Sequence, residues 1–367
     1  MKFAVLGAGN AGYAQAADLS LAGYDVALYE LPKFKKNIEP IIKKGGIEIT
    51  GVARNGFAEL KKITTNVREA TKDAKVIFIT VPAFAHEVFF KECAPYLEDD
   101  QIILIDTSYY ACLRLARLAK ELGIKKNIIL SETSILVYSC RISGPAEVHV
   151  DGYKNKDLKV SAFPAKNTPT ILDLMKEVYP QLIPAKNVLE CDLENLNPCS
   201  HTSITILNSA RIELTKGNFN FYSEGTTPAV GKVIDSVDYE RRKVGDAFGL
   251  EIRSYVKTMK EYYNSKGESA YEVIQTTDAL KDPREKAPSD FTHRYMTEDI
   301  PYGLVPISSL GKLANVPTPT IDSLIQLASV IAQVDYGREG ATLERLGIEG
   351  LSVRKVNELL MDGSIQV

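Results

Sequence analysis

Short apolar runs alternate with stretches of helical periodicity through the first third of the chain. Each run has the length and composition of a buried strand, and the stretch after it repeats apolar residues every three or four positions. The predicted strands cover residues 3–6, 24–29, 74–82, 101–108 and 127–132. The predicted helices cover residues 13–21, 33–44, 84–96 and 112–122. Strands and helices that alternate in this way predict a parallel sheet covered by helices on both faces.

Three further segments have the texture of β-structure. Residues 46–51 and 56–64 are short β-like pieces. Residues 135–163 alternate apolar and polar side chains, with turn signals at Ser143-Gly144-Pro145 and at Asp151-Gly152-Tyr153. We expect this last segment to form two or three antiparallel strands that close the first domain, followed by a helix near residues 168–179.

The pattern changes at residues 183–198, a short and mixed stretch that contains prolines. Beyond it no convincing strand pattern returns, and helical spacing dominates. The predicted helices of this second part cover residues 200–214, 227–247, 254–263, 320–334 and 353–360. We therefore predict an α/β domain over residues 1–188 and a mostly α-helical domain over residues 189–367.

The composition is that of an ordinary globular protein and excludes several classes of partner. A chain of 367 residues is long enough for two cores. The net charge of −3 argues against a general nucleic-acid binder, which needs a basic surface. No apolar stretch approaches the roughly 18 residues that a membrane span needs. The first predicted strand follows Met1 and Lys2 directly, so we expect no signal peptide and no membrane partner.

The five cysteines are odd in number, widely spread and contain no Cys-x-x-Cys pair. This pattern predicts neither structural zinc, nor another metal site, nor a disulfide framework. A reducing, cytoplasmic location fits such a set of thiols best.

The most informative motif is Gly7-x-Gly9-x-x-Gly12, which joins the first predicted strand to the first predicted helix. Gly7 permits the tight turn, Gly9 lets the backbone approach a pyrophosphate, and Gly12 allows close packing of the helix on the sheet. The backbone N–H groups at the helix start, including those of Asn10 and Ala11, then face the phosphates. In this strand–turn–helix context the motif predicts dinucleotide binding.

Acidic and basic residues near the end of the second strand bear on the choice of cofactor. Glu30 stands where a carboxylate usually accepts hydrogen bonds from the adenosine ribose, which favours NAD. The lysines that follow would accommodate the extra phosphate of NADP, or would simply form a solvated helix face: Lys33, Lys35 and Lys36. NAD is therefore the predicted cofactor, with NADP as the alternative. Pro82, at the end of the third predicted strand, is a further candidate cofactor contact.

A candidate acid–base residue lies at the start of the second domain. Asn197 suits an N-cap and Pro198 the first helical position. On the helix that follows, His201, Thr205 and Asn208 share one polar stripe. Imidazole exchanges protons near neutral pH, and Asn208 becomes a candidate substrate contact. Alternatively, the stripe faces water, or the histidine is a buried structural residue whose hydrogen bonds are made within the protein. The apolar positions expected to pack are Ile204, Ile206, Leu207 and Ile212.

Two other segments are candidates for ligand contact. Residues 293–303 are dense in charge and contain Pro301 and Gly303, as expected for a ligand-binding loop between helices. The alternative is a surface ion-pair cluster of little energetic weight. Residues 217–225 are aromatic and bounded by glycines, which fits either the lining of a pocket or a packed turn.

Four sequence motifs together resemble the opine dehydrogenase family, which includes octopine and nopaline dehydrogenases. The motifs are GAGNAG from residue 7, SILVYSCRISGPAEV from residue 134, NPCSHTSITILN from residue 197 and HRYMTEDIPYGLVP from residue 293. The resemblance spans essentially the whole chain. It implies a Rossmann-type parallel sheet followed by a helical domain of the 6-phosphogluconate dehydrogenase type.

The resemblance also implies a reaction and a set of site residues. Members of the family join an amino acid to a 2-oxo acid, often pyruvate, and reduce the resulting imine with NAD(P)H. His201 matches the catalytic histidine, Asp299 its partner and Arg294 a residue associated with a substrate carboxylate. Cys140 and Arg141 are expected near the 2-oxo acid or the nicotinamide. The catalytic cleft is expected between the two domains, and analogy with such helical domains predicts a homodimer.

Two other functions stay open. One is a ketopantoate or 3-hydroxy acid dehydrogenase of the same architecture, although such enzymes resemble one another in placing a lysine where His201 lies. The other is a regulatory protein that senses the dinucleotide without turnover and needs no proton-transfer pair. An assay with amine, oxo acid and NADH discriminates all three functions.

Overall fold

The computed structural model describes residues 1–154 and 156–363. The chain divides into two compact units. Unit 1 comprises Met1–Cys191 with Leu360–Gly363, and unit 2 comprises Asp192–Leu359. The last four residues of the predicted second domain, 364–367, lie outside the described residues.

Unit 1 contains twelve strands among its described residues, and they form two sheets. The strands are β1 (Lys2–Leu6), β2 (Asp25–Tyr29), β3 (Gly46–Gly51), β4 (Gly56–Glu59), β5 (Lys62–Thr64), β6 (Val76–Ile79), β7 (Ile102–Asp106), β8 (Ile129–Thr133), β9 (Tyr138–Gly144), β10 (Glu147–Tyr153), β11 (Leu158–Phe163) and β12 (Leu182–Pro184). The main sheet has the order β12-β11-β8-β7-β6-β1-β2-β5, and the second sheet has the order β4-β3-β10-β9.

The main sheet has the parallel pairing that its sequence pattern predicts. All its neighbouring strands run parallel except β8 and β11. Every residue of β6 and β7 is buried, as expected for a strand covered on both faces. The helices of this part are α1 (Asn10–Leu21), α2 (Glu39–Lys44), α3 (Val67–Thr71), α4 (His86–Cys93), α5 (Ala111–Glu121) and α6 (Thr168–Met175). The predicted fold class, a Rossmann-type sheet followed by a helical domain, is confirmed.

The segment expected to close this domain with antiparallel strands is divided between the two sheets. β9 and β10 are antiparallel to each other, but β10 also pairs in parallel with β3 in the second sheet. Only β11 joins the main sheet, antiparallel to β8. Alternation reports a half-buried strand but not the identity of its partner, so the second sheet was not predicted.

Helix α1 packs against strands of both sheets, and a buried polar network fastens it there. The hydroxyl of Tyr138 on β9 lies 2.9 Å from Asp18 Oδ2 on α1 and 3.0 Å from the hydroxyl of Tyr179. Arg54 Nη1 lies 3.0 Å from the same Asp18 oxygen. A buried carboxylate needs such partners, because desolvation without hydrogen bonds is costly.

The predicted helix over residues 33–44 is broken. Residues 33–44 form a 3₁₀ turn over Pro32–Asn37 and then α2, rather than one continuous helix. Ile38 between the two is buried, and Pro40 lacks the N–H that a continuous helix would use.

Unit 2 is helical. The remaining helices of the chain are α7 (Val188–Glu194), α8 (Asn197–Leu207), α9 (Ser209–Thr215), α10 (Pro228–Ala247), α11 (Tyr255–Tyr263), α12 (Ala270–Thr276), α13 (Arg294–Thr297), α14 (Val305–Leu313), α15 (Pro319–Ala332), α16 (Tyr336–Glu339) and α17 (Val353–Asp362). The boundaries between the two units fall within α7 and α17, and the other helices of this list belong to unit 2. The predicted helix over residues 200–214 is two helices, which meet at Asn208. In residues 1–154 and 156–363, no helix is long and apolar enough to cross a membrane.

Candidate active site

The glycine turn between β1 and α1 has the shape that a dinucleotide requires. Gly7 has a φ of +107°, which side-chain-bearing residues rarely adopt. A Cβ at Gly12 would overlap the carbonyl oxygen of Gly7, so this contact holds the helix against the turn. At Gly9 a Cβ would meet nothing within 4 Å. The turn is therefore closed on its inner side and open at Gly9, where the phosphates would approach.

The start of α1 offers backbone donors to such a ligand. Gly9 is the N-cap, and no side chain in the described part of the chain caps the helix there. The side chain of Asn10 is used elsewhere, because its Oδ1 accepts from the N–H of Ile142 at 2.8 Å. The N–H groups of Asn10 and Ala11 consequently stand at the positive end of the helix dipole.

Cys140 and Arg141 lie beside this helix start, on β9. The Cys140 thiol is buried and donates to the carbonyl oxygen of Asn10 at 3.3 Å. Burial raises the pKa of Cys140 to about 12, so the group is a neutral thiol at physiological pH. Arg141 is exposed, and its Nη1 donates to the carbonyl of Cys140 at 2.9 Å. Both residues are thus close to the predicted phosphate site.

Glu30 lies at the end of β2 as a fixed carboxylate. It is 3% exposed. Its oxygens accept from the N–H of Ala8 at 3.1 Å, the N–H of Leu31 at 2.8 Å and the amide of Asn37 at 3.0 Å. Because Ala8 belongs to the glycine turn, these bonds tie the carboxylate to the phosphate site. Pro82 follows β6 and precedes a 3₁₀ turn over Ala83–Ala85.

In unit 2 the structure brings together two residues that are 98 positions apart in the sequence. His201 Nδ1 lies 2.9 Å from Asp299 Oδ2. The exposed fractions are 3% for His201 and 0% for Asp299. Because an ionised carboxylate only accepts, Nδ1 carries the hydrogen and Nε2 is left as the proton-accepting atom. Burial lowers the pKa of His201 below its ordinary value, and the charge and hydrogen bond of Asp299 oppose that shift.

Aromatic side chains surround this pair. The hydroxyl of Tyr222 lies 2.9 Å from His201 Nε2. The ring of Tyr295 lies over the imidazole, with centroids 4.0 Å apart and an interplanar angle of 32°. Phe221 continues the cluster, with its centroid 4.5 Å from that of Tyr295. Sequence reasoning singled out the segment that contains Phe221 and Tyr222 but did not assign Tyr222 to the histidine, since nothing in the local pattern joins them.

Arg294 lies next to the cluster and is partly open to solvent. Its Nη1 lies 3.2 Å from Glu298 Oε2, and its side chain is 43% exposed. The guanidinium carbon is 5.4 Å from the centroid of the Tyr295 ring. The predicted alternative, a surface ion-pair cluster of Arg294, Glu298 and Asp299, therefore describes only part of the segment. Arg294 pairs with Glu298, whereas Asp299 is paired with His201.

The polar stripe predicted on α8 is not a surface stripe. Thr205 is buried with His201, whereas Leu207, expected to pack inside, is 45% exposed. Asn208 ends the helix, and its amide nitrogen donates to the carbonyls of Ile204 and Gly225, each at 2.9 Å. Nearly every residue of α8 is buried, so its inward face cannot be identified from polarity alone.

The predicted N-cap of α8 is shifted by one residue. Asn197 is already helical and Leu196 is the cap residue. The side-chain oxygen of Asn195 accepts the backbone N–H of Asn197 here, at 3.1 Å. Pro198 consequently takes the second helical position rather than the predicted first, still within the first turn.

The charged segment over residues 293–303 is helical rather than a loop. Helix α13 is followed by a π-helical turn over Asp299–Leu304, which leads directly into α14. Pro301 cannot donate a backbone hydrogen bond, and a wider turn accommodates its ring. Pro301 and Gly303 led to the prediction of a loop. In the structure Asp299, Ile300 and Pro301 are instead buried residues of this helical turn.

Two family models match successive parts of the chain. Residues 184–332 match the one described as NAD/NADP octopine/nopaline dehydrogenase, alpha-helical domain. Residues 3–162 match ketopantoate reductase PanE/ApbA. Among curated relatives, an opine dehydrogenase of Arthrobacter sp. (strain 1C) is 35% identical over 95% of this chain and 96% of its own length. A vitopine synthase of Allorhizobium ampelinum is 24% identical over 98% of this chain and 99% of its own.

Solved structures share the fold over the full length. Octopine dehydrogenase in complex with NADH and agmatine superposes with a TM-score of 0.79 at 22% identity, covering 100% of this chain and 99% of that one. The NADP⁺-bound yersinopine dehydrogenase superposes with a TM-score of 0.74 at 14% identity, covering 98% of each chain.

The glycine turn and the helical unit, together with these matches, define an NAD(P)-dependent dehydrogenase that acts on CH–NH bonds. Within that class the chain belongs to the opine dehydrogenase family, as its similarity to the Arthrobacter enzyme over nearly the whole length shows.

Proposed function

We propose that this chain catalyses the reductive condensation of an amino acid with pyruvate, and the reverse oxidation, with His201 and Asp299 as the acid–base pair. The observation that carries the proposal is the buried hydrogen bond of 2.9 Å between these two side chains. Solved octopine dehydrogenase complexes with NADH and either L-arginine or pyruvate support this choice of substrate classes.

His201 handles the protons of both directions. For synthesis, the imidazolium donates a proton to the carbinolamine oxygen, which leaves as water. For oxidation, neutral Nε2 removes a proton from the secondary amine. Asp299 keeps the hydrogen on Nδ1 and stabilises the imidazolium. When bound, the nicotinamide supplies the hydride to the imine carbon or accepts it from the amine.

Arg294 is the proposed anchor for a substrate carboxylate. Its guanidinium is partly exposed and lies beside the tyrosine that stacks on His201. A planar guanidinium holds a carboxylate through two parallel hydrogen bonds, which orients the substrate as well as binding it. Asn208, Cys140 and Arg141 remain proposed substrate contacts, although the amide nitrogen of Asn208 already bonds two backbone carbonyls.

NAD(H) is the proposed preferred coenzyme, held by the glycine turn with Asn10, Ala11 and Pro82. The fixed carboxylate of Glu30 favours ribose hydroxyls and repels a 2′-phosphate. The lysines that would attract that phosphate are exposed: Lys33, Lys35 and Lys36. Functionally, we assign coenzyme binding to residues 1–188 and acid–base chemistry to residues 189–367.

An assay of NADH consumption with pyruvate and a panel of amino acids tests the reaction. Consumption only when amine and oxo acid are both present is the expected result. Consumption with an oxo acid alone would favour the ketopantoate or 3-hydroxy acid type, and binding without consumption would favour a sensor. His201→Ala is expected to slow the reaction at least about a hundredfold and to leave NADH affinity nearly unchanged.

We also propose a homodimer formed through unit 2. Several apolar side chains of this unit are exposed: Leu207, Leu214, Leu327 and Val330. Light scattering during size-exclusion chromatography is expected to give twice the chain mass of 40.5 kDa. A mass equal to that of one chain would refute the dimer.

A further inference from the structure

Both ring nitrogens of His201 have a partner. Asp299 occupies Nδ1, so proton exchange with a substrate must use Nε2. The hydroxyl of Tyr222 lies 2.9 Å from that nitrogen. Since Nε2 of the neutral ring is an acceptor, the Tyr222 O–H donates to it. A substrate therefore reaches the reactive nitrogen either by displacing this phenol or through it.

The exposure of these groups favours a path through the phenol. His201 and Asp299 are buried, and Tyr295 covers a face of the imidazole. Tyr222 is less buried than the pair: part of this residue contacts solvent, while its hydroxyl lies in the desolvated surroundings of His201 Nε2. The hydroxyl thus lies next to the buried base on a side chain that solvent can reach.

The segment that carries Tyr222 is fixed on both sides. The N–H of Phe221 donates to the carbonyl of Glu285 at 2.8 Å. Ser223 is held through its N–H by Asn220 at 2.8 Å and through its carbonyl by Gln275 at 2.7 Å. These bonds hold the backbone on both sides of Tyr222, which limits how far the phenol can move from His201.

We propose that Tyr222 is a catalytic residue that relays the proton between His201 Nε2 and the substrate. This inference rests on the proposed function of His201. In oxidation, the substrate nitrogen gives a proton to the phenol oxygen while the phenol gives its own proton to Nε2. One N–H bond breaks, one N–H bond forms, and the O–H bond is renewed. In synthesis the same two transfers run backwards and return the proton to the substrate nitrogen. In the earlier dehydration step the phenol likewise gives its proton to the carbinolamine oxygen, which leaves as water, and takes one from protonated Nε2.

A relay needs a phenol that stays protonated between turnovers. Burial raises the pKa of Tyr222 well above its ordinary value, with a further contribution from Tyr295. Tyr222 consequently passes protons on without resting as a phenolate at neutral pH.

The test compares Tyr222→Phe with wild type in NADH consumption with pyruvate and an equimolar mixture of the protein amino acids. The relay predicts a loss of at least about tenfold, within the range of acid–base contributions. Tyr262→Phe is the matched control, since it removes a hydroxyl bonded to Arg253 in the same unit and should retain the wild-type rate. Melting temperature and NADH binding report whether each variant is folded. A rate for Tyr222→Phe within about twofold of wild type would overturn the relay.

A double variant separates this inference from the proposed function. If both residues serve one proton path, His201→Ala/Tyr222→Phe is no slower than His201→Ala alone. Independent, multiplicative losses would overturn the relay. Full activity of His201→Ala would refute the proposed function itself, whereas an inactive His201→Ala with a normal Tyr222→Phe would refute only the role of Tyr222.

A measurement on the unaltered enzyme applies if the Tyr222 variant does not fold. Rates of opine oxidation are measured in mixtures of H₂O and D₂O on the pH-independent plateau of kcat/KM, with the product of the synthesis reaction as substrate. If two protons move in the same step, the rate of opine oxidation should depend on the deuterium fraction along a curve. A straight line would mean one proton and would overturn the relay.

Discussion

Burial favours the neutral form of the His201 imidazole, whereas the neighbouring carboxylate of Asp299 favours the charged form. Burial is the larger influence and lowers the pKa below the ordinary value of 6.5. The proposed mechanism requires the neutral ring for opine oxidation, so kcat/KM should fall as pH decreases through a pKa that lies below 6.5. In the proposed mechanism the residue therefore acts as a base at neutral pH, and the charge and hydrogen bond of Asp299 oppose the lowering of its pKa by burial.

Asp299→Asn removes both the charge and the fixed tautomer. An amide presents either an oxygen or an NH₂ group to Nδ1, so the hydrogen is no longer confined to that nitrogen. We expect turnover to fall at least about tenfold and the acid limb of kcat/KM to move to lower pH, because the influence that raised the pKa is gone. A pH profile of kcat/KM for opine oxidation measures both effects. An unchanged profile would show that the pair does not act together.

Glu30→Gln tests the coenzyme preference, because it replaces the carboxylate by an uncharged amide of nearly the same shape. Glutamine retains an oxygen that accepts from the Ala8 N–H, but it loses the negative charge that repels a 2′-phosphate. The ratio of kcat/KM for NADH to that for NADPH should exceed one in wild type and decrease about tenfold in the variant, equivalent to roughly 1.4 kcal/mol. Glu39→Gln, on the exposed α2, is the matched control and should leave the ratio unchanged. A wild-type preference for NADPH would contradict the proposal.

At the scale of elements, two glycines of the turn between β1 and α1 have different roles: Gly12 is needed for packing, whereas Gly9 leaves room for the ligand. A methyl group at Gly12 would overlap the Gly7 carbonyl, whereas one at Gly9 would meet open space. Gly12→Ala should therefore lower both the melting temperature and the affinity for NADH. Gly9→Ala should weaken NADH binding while the melting temperature stays near that of wild type. Thermal unfolding and fluorescence titration with NADH distinguish them. Normal NADH affinity in Gly9→Ala would mean that the phosphates bind elsewhere.

The elements show which parts of the fold were predictable from sequence. The parallel strands were, because a strand buried on both faces is a continuous apolar run. The wide turn at Asp299 was not, since its proline and glycine are equally typical of a loop. The contact of Tyr222 with His201 was also hidden, because tertiary packing brings α8 and residues 217–225 together without a periodic signal.

At the scale of the whole molecule, every cysteine is buried and lies outside any disulfide: Cys93, Cys112, Cys140, Cys191 and Cys199. Burial also raises the pKa of Cys93, Cys140 and Cys199 to about 12, which suppresses the reactive thiolate. We expect fewer than about one thiol per native chain to react rapidly with an aromatic disulfide reagent, and all 5 to react in guanidinium. Rapid reaction of several thiols in the native protein would contradict the buried positions. The predicted cytoplasmic location stays a prediction.

The hydrogen bonds of Glu30 lie within unit 1, and those of His201 lie within unit 2. With the proposed roles of these residues, coenzyme choice and proton chemistry are encoded in separate stretches of the gene. A lineage with this architecture can then change its coenzyme through substitutions near Glu30 that leave the acid–base pair intact. Enzyme engineers have the same freedom, and they can optimise the two properties in independent libraries.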